Sequence, residues 1–253
     1  MLMKIYSRAF KVLMKKPLKL WGLSLLSIML ISVLTGLCGV VIPGLALGVT
    51  MLMTVSMTMV YLSGYRGEEV KAVQLFSCFK DWNTIKRVLC GMAWTALWVF
   101  LWSLIPIVGW IFALIRIYEY RLVPYILVTE PDVPVTEALK VSAERTKGYK
   151  LQMWLADFVF AIVVFVVILI LGLLSIIPYI GVLFALVAVV TSLVTTALSP
   201  LFLGLVQAAF YEEITNPTAA AAADTATGVT CAGCGAALAE GTKFCPNCGK
   251  SVE

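Results

Sequence analysis

Four cysteines near the C-terminus have the types and spacing to do chemistry: Cys231-Ala232-Gly233-Cys234 and then Cys245-Pro246-Asn247-Cys248. Two Cys-x-x-Cys turns are the usual way for a short chain to present four thiolates to a tetrahedral Zn²⁺, at about 2.3 Å each. Gly235 and Gly249 follow the second cysteine of each knuckle, and glycine permits the positive-φ backbone that lets amides point at sulfur. Four thiolates around one divalent ion leave about two negative charges, which Lys243 and Lys250 partly offset. So short a segment cannot bury enough apolar surface to fold alone. Metal binding, about 10–16 kcal/mol in zinc-finger peptides, must supply its stability. Every ligand position is filled by sulfur, with none left for water, so the one expected ion is structural rather than catalytic.

A second group, Arg116, Glu119, Arg121 and Asp157, consists of charges that fall in stretches expected to lie in hydrocarbon. With helix ends at 127 and 151 and 1.5 Å of rise per residue, Arg121 and Asp157 both lie about 9–11 Å from the inner helix ends. Equal depth predicts a pair. An ionised side chain near the bilayer centre costs roughly 2.5–3.5 kcal/mol, so burial without a partner is disfavoured. Two readings stay open: a polar path or binding site for a small solute or lipid headgroup, and a structural ion cluster whose side chains brace the fold or snorkel to the interface. Histidine is absent, which removes the commonest general base and transition-metal ligand. No carboxylate pair is adjacent within a span, and no enzymatic activity is expected. The remaining cysteines, Cys38, Cys78 and Cys90, follow no motif and read as apolar packing.

The elements that must position these groups are read from hydropathy and charge. The chain has a mean hydropathy of +0.99, with 61% apolar and 13% charged residues; soluble domains carry about 25% charged residues, so the solvent of most of this chain is lipid. No formal charge occurs between Lys19 and Arg66, Arg87 and Arg116, or Phe158 and Tyr211. Each run is broken by proline and glycine, at Val41-Ile42-Pro43-Gly44, Ile105-Pro106-Ile107-Val108-Gly109 and Ile177-Pro178-Tyr179-Ile180-Gly181. Proline and glycine end one helix and start another, and a span needs about 20 residues. Six spans are therefore expected, at about 20–39, 43–63, 88–105, 107–127, 151–176 and 180–210, with a bend at Ser199-Pro200. The fold class is an all-α membrane protein of three helical hairpins with interfacial amphipathic helices and a small C-terminal zinc ribbon. The recurrent turns suggest a threefold repeat, although any helical hairpin favours these residues at its turn. The first apolar run is too long for a cleavable leader.

The three expected outer turns hold no Lys or Arg, while residues 1–19, 64–87 and 129–150 hold nearly all of the 19 basic residues. By the positive-inside bias, both termini face the cytoplasm and the chain sits in the cytoplasmic membrane. Paired thiols in that reducing compartment favour zinc over disulfides. In residues 1–19 Lys4, Arg8, Lys11, Lys15 and Lys19 form one stripe, as on a helix lying in the plane of anionic headgroups. Asp132 and Pro134 fit a helix start and Lys147-Gly148 an end, giving an interfacial helix over 134–147. Residues 20–214 form the membrane domain, 215–229, rich in Ala and Thr, a flexible tether, and 230–253 the ribbon.

Thr230 to Val252, with Cys-x-x-Cys-Gly, Leu238 and Lys243-Phe244-Cys245-Pro246-Asn247-Cys248-Gly249, resembles the short zinc ribbons at the ends of many prokaryotic proteins. Thr230 stands where an aromatic is frequent, leaving Phe244 as the one large core residue. Such ribbons bind protein or nucleic acid; only Lys243 and Lys250 are basic here, so a protein partner is expected and nucleic acid is not. The run Tyr118-Glu119-Tyr120-Arg121-Leu122-Val123-Pro124-Tyr125-Ile126-Leu127, with Glu130-Pro131, Glu137-Ala138-Leu139-Lys140-Val141-Ser142 and Lys147-Gly148-Tyr149-Lys150, resembles a family of uncharacterised bacterial integral membrane proteins. That family is similar to the membrane domain attached to some glycerophosphoryl diester phosphodiesterases. The resemblance implies multi-pass residence and no activity, since no phosphodiesterase catalytic domain accompanies it. The expected function is a non-enzymatic membrane scaffold or regulator whose ribbon docks a protein, and the alternative is a transporter or lipid-handling protein using the intramembrane charges.

Overall fold

The structure is a computed structural model that describes residues 2–15, 17–41, 43–68, 70–106, 108–216, 226–230 and 237–239. Helices α1 (Leu2–Lys15), α2 (Pro17–Val41) and α3 (Pro43–Arg66) precede a 3-10 helix over Ala72–Phe79. Then come α4 (Trp82–Ser103), α5 (Val108–Glu119), α6 (Val123–Thr129), α7 (Val135–Arg145), α8 (Lys150–Leu174) and α9 (Gly181–Thr215). The chain divides into two compact units, Met1–Ala209 and Phe210–Glu253. In the second, strands β1 (Ala226–Thr230) and β2 (Ala237–Ala239) pair antiparallel, Ala226 with Ala239 and Thr230 with Ala237.

Among the described residues five helices, α2, α3, α4, α8 and α9, are long and apolar enough to cross a membrane, which corrects the expectation of six. The expected span 107–127 is divided into α5 and α6. Pro124 is the reason: it has no N–H to offer the Tyr120 carbonyl four residues back, and its ring would clash with that carbonyl in a continuous helix. The chain tightens instead, Val123 N–H reaching Tyr120 O at 3.1 Å rather than the carbonyl of Glu119. That frees the Glu119 carbonyl, which accepts from the Ser142 hydroxyl at 2.6 Å. Pro200, by contrast, lies inside a helix that continues to Thr215.

Two of the three hairpin turns share one geometry. Gly109 N–H bonds to Ile105 O at 3.1 Å and Gly181 N–H to Ile177 O at 2.8 Å. A Cβ on Gly109 would meet Trp102 O at 2.3 Å, and one on Gly181 would meet Ser175 O at 2.1 Å, so only glycine fits either site. A Cβ on Gly44 would meet open space, so the first turn does not share this need.

Burial changes along the helices rather than around them. Leu20, Ser24 and Ser27 of α2, most of Leu52 to Leu62 of α3 except Thr54 and Met59, Val88 and Gly91 of α4, Met153 and Ala156 of α8, and Leu201 and Leu205 of α9 are buried, along with Leu75 and Cys78 of the 3-10 helix, much of α6 and the inner face of α7. Beyond those points the same helices expose apolar side chains: Met29 to Leu37, Leu97 to Leu104, Phe158 to Leu173 and Val182 to Val194. One end of the bundle is packed protein and the other presents hydrocarbon outward. The buried face of α1 belongs to the packed end. Ile5 and Ala9 are covered, Tyr6 donates its hydroxyl to the Ala156 carbonyl, and its ring stacks on Phe202 at 5.6 Å. The helix expected to lie in the headgroup plane thus turns its Ile5 and Ala9 face to protein. Helix α7 matches the expected 134–147 within two residues at each end.

Candidate functional site

The four expected membrane charges form two groups rather than one. In the first, Glu119 ends α5, where the turn before Pro124 places its carboxylate between two cations. Arg116, one turn back on the same helix, pairs with it through Oε2, and Lys150, at the first residue of α8, reaches Oε1 at 2.6 Å. The guanidinium of Arg116 also lies 5.3 Å from the centre of the Trp102 ring, a cation–π distance. Glu119 is 8% exposed. A carboxylate so covered is stable in its charged form only because two cations share it.

The second group joins the turn after α5 to α8. Arg121 Nη2 lies 2.8 Å from Asp157 Oδ2, and Tyr118 donates its hydroxyl to the same oxygen at 3.0 Å. Arg121 also covers the Tyr118 ring at 5.1 Å. Ala156 is buried and Phe158 exposed, so the pair sits where the packed end gives way to the apolar end. It faces a cleft of about 680 Å³ whose walls include Phe160, Ala161, Val164 and Ile168 of α8 and Ser192, Thr195, Thr196 and Ser199 of α9. Ser192 donates to Val189 O and Thr196 to Ser192 O, both at 2.8 Å, so these hydroxyls spend their protons on their own helix and offer lone pairs.

Two clamps in the packed end were not singled out in the sequence. Arg145 holds Glu130 in a fork, Nη1 to Oε1 at 2.5 Å and Nη2 to Oε2 at 2.8 Å. Arg87 closes the end of α6, donating to Leu127 O at 2.9 Å, Glu130 O at 2.8 Å and Val133 O at 2.5 Å. In sequence Arg87, Arg145 and Lys150 read only as orienting charges. The available signal was Glu130-Pro131, which ends α6 with open carbonyls that a nearby guanidinium can satisfy.

Cys78 lies in a buried apolar cluster with Leu52, Val55 and Val88. Burial pushes its thiol above the usual range, against the opposing hydrogen bonds of Ser56 and Ser77, so it stays protonated and serves packing. Cys90 is exposed, and the side chain of Cys38 lies outside the described residues, as do Cys231, Cys234, Cys245 and Cys248. Among the described residues no three potential ligands gather to hold a metal ion.

No curated protein and no solved structure matches the chain. The model of one family, described as a protein of unknown function (DUF975), matches residues 97–216. That stretch, from within α4 to just past α9, contains both charge groups and the Glu130–Arg145 fork; the four cysteines of the expected zinc ribbon lie outside it, and nothing in it supports the likeness to the phosphodiesterase membrane domain.

Proposed function

We propose that this multi-pass membrane protein is a non-enzymatic scaffold or regulator, with a cytosolic zinc ribbon that docks a partner protein. The observation that carries the reading is the use made of its membrane-level carboxylates. Glu119 and Asp157 each tie α5 or the turn after it to α8 through ion pairs, as structural braces do. The spacing of Cys231, Cys234, Cys245 and Cys248 supports one structural Zn²⁺, and the pairing of Thr230 with Ala237 brings together the two ends of the segment that contains the first knuckle. The basic clusters favour anionic headgroups at the cytosolic face and the cytoplasmic membrane as its location.

The deciding experiment compares wild type with Cys245→Ser in intact cells. Zinc content should fall in the purified variant, and partner capture by cross-linking through the tail should be lost while membrane insertion stays normal. Capture that survives removal of the ligand set would reject the ribbon as the docking element. Labelling of the chelated tail by a membrane-impermeant thiol reagent outside the cell would reject the cytosolic placement.

The cleft beside Arg121 and Asp157 favours a second reading, transport or lipid handling. Its hydroxyl-lined wall supports passage of a solute that donates hydrogen bonds. Solute flux in proteoliposomes that is lost in Asp157→Asn, with insertion and elution profile unchanged, is the result expected of it; no flux above empty vesicles excludes it for the solutes tested.

A further inference from the structure

Helix α4 carries Trp94, Trp98 and Trp102 at four-residue intervals, so the three indoles lie along one face. Helices α5 and α7 pack against α4, and the three enclose a cavity of about 450 Å³ lined by those indoles together with Arg116, Tyr120 and Lys140. Its level in the bundle is set by α4 itself: Val88 and Gly91, just before Trp94, are buried, and Leu97, Phe100 and Leu101, at the level of the indoles, are exposed. A cavity at the change from packed protein to outward-facing hydrocarbon, walled by tryptophan, lies where lipid headgroups meet the bilayer.

The charges decide what chemistry fits. Arg116 shares Glu119 with Lys150, while Lys140 is exposed and forms no ion pair among the described residues. Glu137 also lines the cavity, so three cations stand against two carboxylates and one positive charge is left over. An aromatic cage for a ligand cation is disfavoured, because the Trp102 ring already carries the Arg116 guanidinium at 5.3 Å. Guanidinium and ammonium with a phenol hydroxyl near them are the donors that recognise a phosphate oxygen.

We propose that this cavity is a phosphate site for an anionic phospholipid. Arg116 and Lys140 hold the headgroup phosphate, Tyr120 adds a hydroxyl donor, and the acyl chains run from the indoles onto the exposed apolar surface of α4. The site rests on the membrane placement of the long helices and is independent of the zinc ribbon.

The test uses the full-length chain in neutral detergent, titrated with phosphatidylglycerol that carries brominated acyl chains and read by tryptophan emission. Quenching should saturate at a lower lipid fraction than with brominated phosphatidylcholine, and Trp98→Phe should remove part of the signal. Lys140→Ala should weaken the phosphatidylglycerol response about tenfold, the worth of one charge-assisted contact, and Glu137→Gln should strengthen it. Both residues are exposed on α7, so the variants should elute as wild type does. Inorganic phosphate that displaces the lipid at millimolar concentration would assign the same site to soluble phosphate; failure to displace it keeps the lipid as the ligand. Equal quenching by the two lipids, or responses unchanged in both variants, would overturn the site.

Discussion

Helices α3 and α8 are nearly equal in length, and each has an uncharged stretch long enough for a bilayer, yet their surroundings differ. Half of the apolar window of α3 is buried within the protein, and none of that of α8 is. Helix α3 packs against α2, α4, α6 and the 3-10 helix, whereas α8 has its main helix contact with α5. The residues follow that difference. Along α3, Ser56 and Thr58 are buried among Met53, Val55, Met57 and Val60, small and pliant side chains that let backbones approach. Along α8, Phe158 to Leu173 is a bulky apolar series facing outward. Hydrophobicity buries a side chain in a water-soluble protein, but in lipid it offers no preference between protein and solvent. Packing must then come from shape and from polar clamps, and these are concentrated at one end of the bundle.

Length makes this arrangement available. Helix α9 has 35 residues, about 52 Å at the standard rise, against about 30 Å of hydrocarbon. A helix so long can cross the bilayer and still contribute to a packed layer at one side. Leu201 and Leu205 are buried while Val182 to Val194 are exposed, which is the pattern that such an overhang requires.

Breaking the packed end should have the largest effects. A Cβ on Gly204 would lie 2.2 Å from Cε2 of Tyr61, and Tyr61 is 7% exposed, so its ring has nowhere to retreat. Gly204→Ala should destabilise by up to about 3 kcal/mol through overpacking, and Gly204→Leu should leave no folded protein after detergent extraction. Normal yield of Gly204→Leu would show that α3 and α9 are not in close contact.

Arg87→Ala comes next. It removes the side-chain donor from the Leu127 and Val133 carbonyls and leaves Glu130 O with Val133 N–H alone, at a cost of about 2–3 kcal/mol. Arg87→Lys should recover only a minor part, since an ammonium cannot span carbonyls on several residues as a planar fork does. Both are read as loss of folded yield and a lower melting midpoint in the same detergent. Full recovery by lysine would mean that the charge matters and the geometry does not.

The pair at the boundary should matter less. Arg121→Ala and Asp157→Ala each remove one partner of a contact that is partly open, and each should lower folded yield. The double change should cost less than the sum of the two, by about 1–2 kcal/mol of coupling. Strictly additive losses would mean that the 2.8 Å contact contributes nothing in the membrane.

How much of this was legible depends on what a one-dimensional pattern records. The turns at Pro106 and Pro178 stand in the sequence because their glycines answer a local clash with Trp102 O and Ser175 O. The ends of α7 were legible for the same reason, through Pro134 and Gly148, whose φ of +85° only glycine adopts readily. The division of the fourth span was missed because Val123 to Leu127 is apolar and reads as a continuation, while the competing term, the missing N–H of Pro124, is a single atom. The contrast between α3 and α8 was out of reach as well. Hydropathy counts what a residue is and not what lies beside it, so Leu52 at 5% exposure and Leu173 at 59% look alike. In the candidate site the equal depth of Arg121 and Asp157 followed from helix rise, but Lys150 as the second partner of Glu119 needed the tertiary return of α7.

The smallest expected effect sharpens the contrast most. Gly172 lies in the outward-facing part of α8, and a Cβ there would meet nothing within 4 Å. Alanine is the better helix former by about 1 kcal/mol in water, but a membrane helix already has its backbone bonded before it packs. Gly172→Ala should therefore change stability by less than about 0.5 kcal/mol, far below the loss at Gly204 for the same added methyl group. The comparison uses one atom at two depths of one bundle, so the difference reports neighbours alone. A loss at Gly172 as large as that at Gly204 would place another surface against α8. Because small residues are where membrane helices meet, the measurement to pair with it is the oligomeric state of Gly172→Ile in nanodiscs: an unchanged state confirms lipid as the neighbour of α8, and a smaller assembly identifies a second copy of the chain.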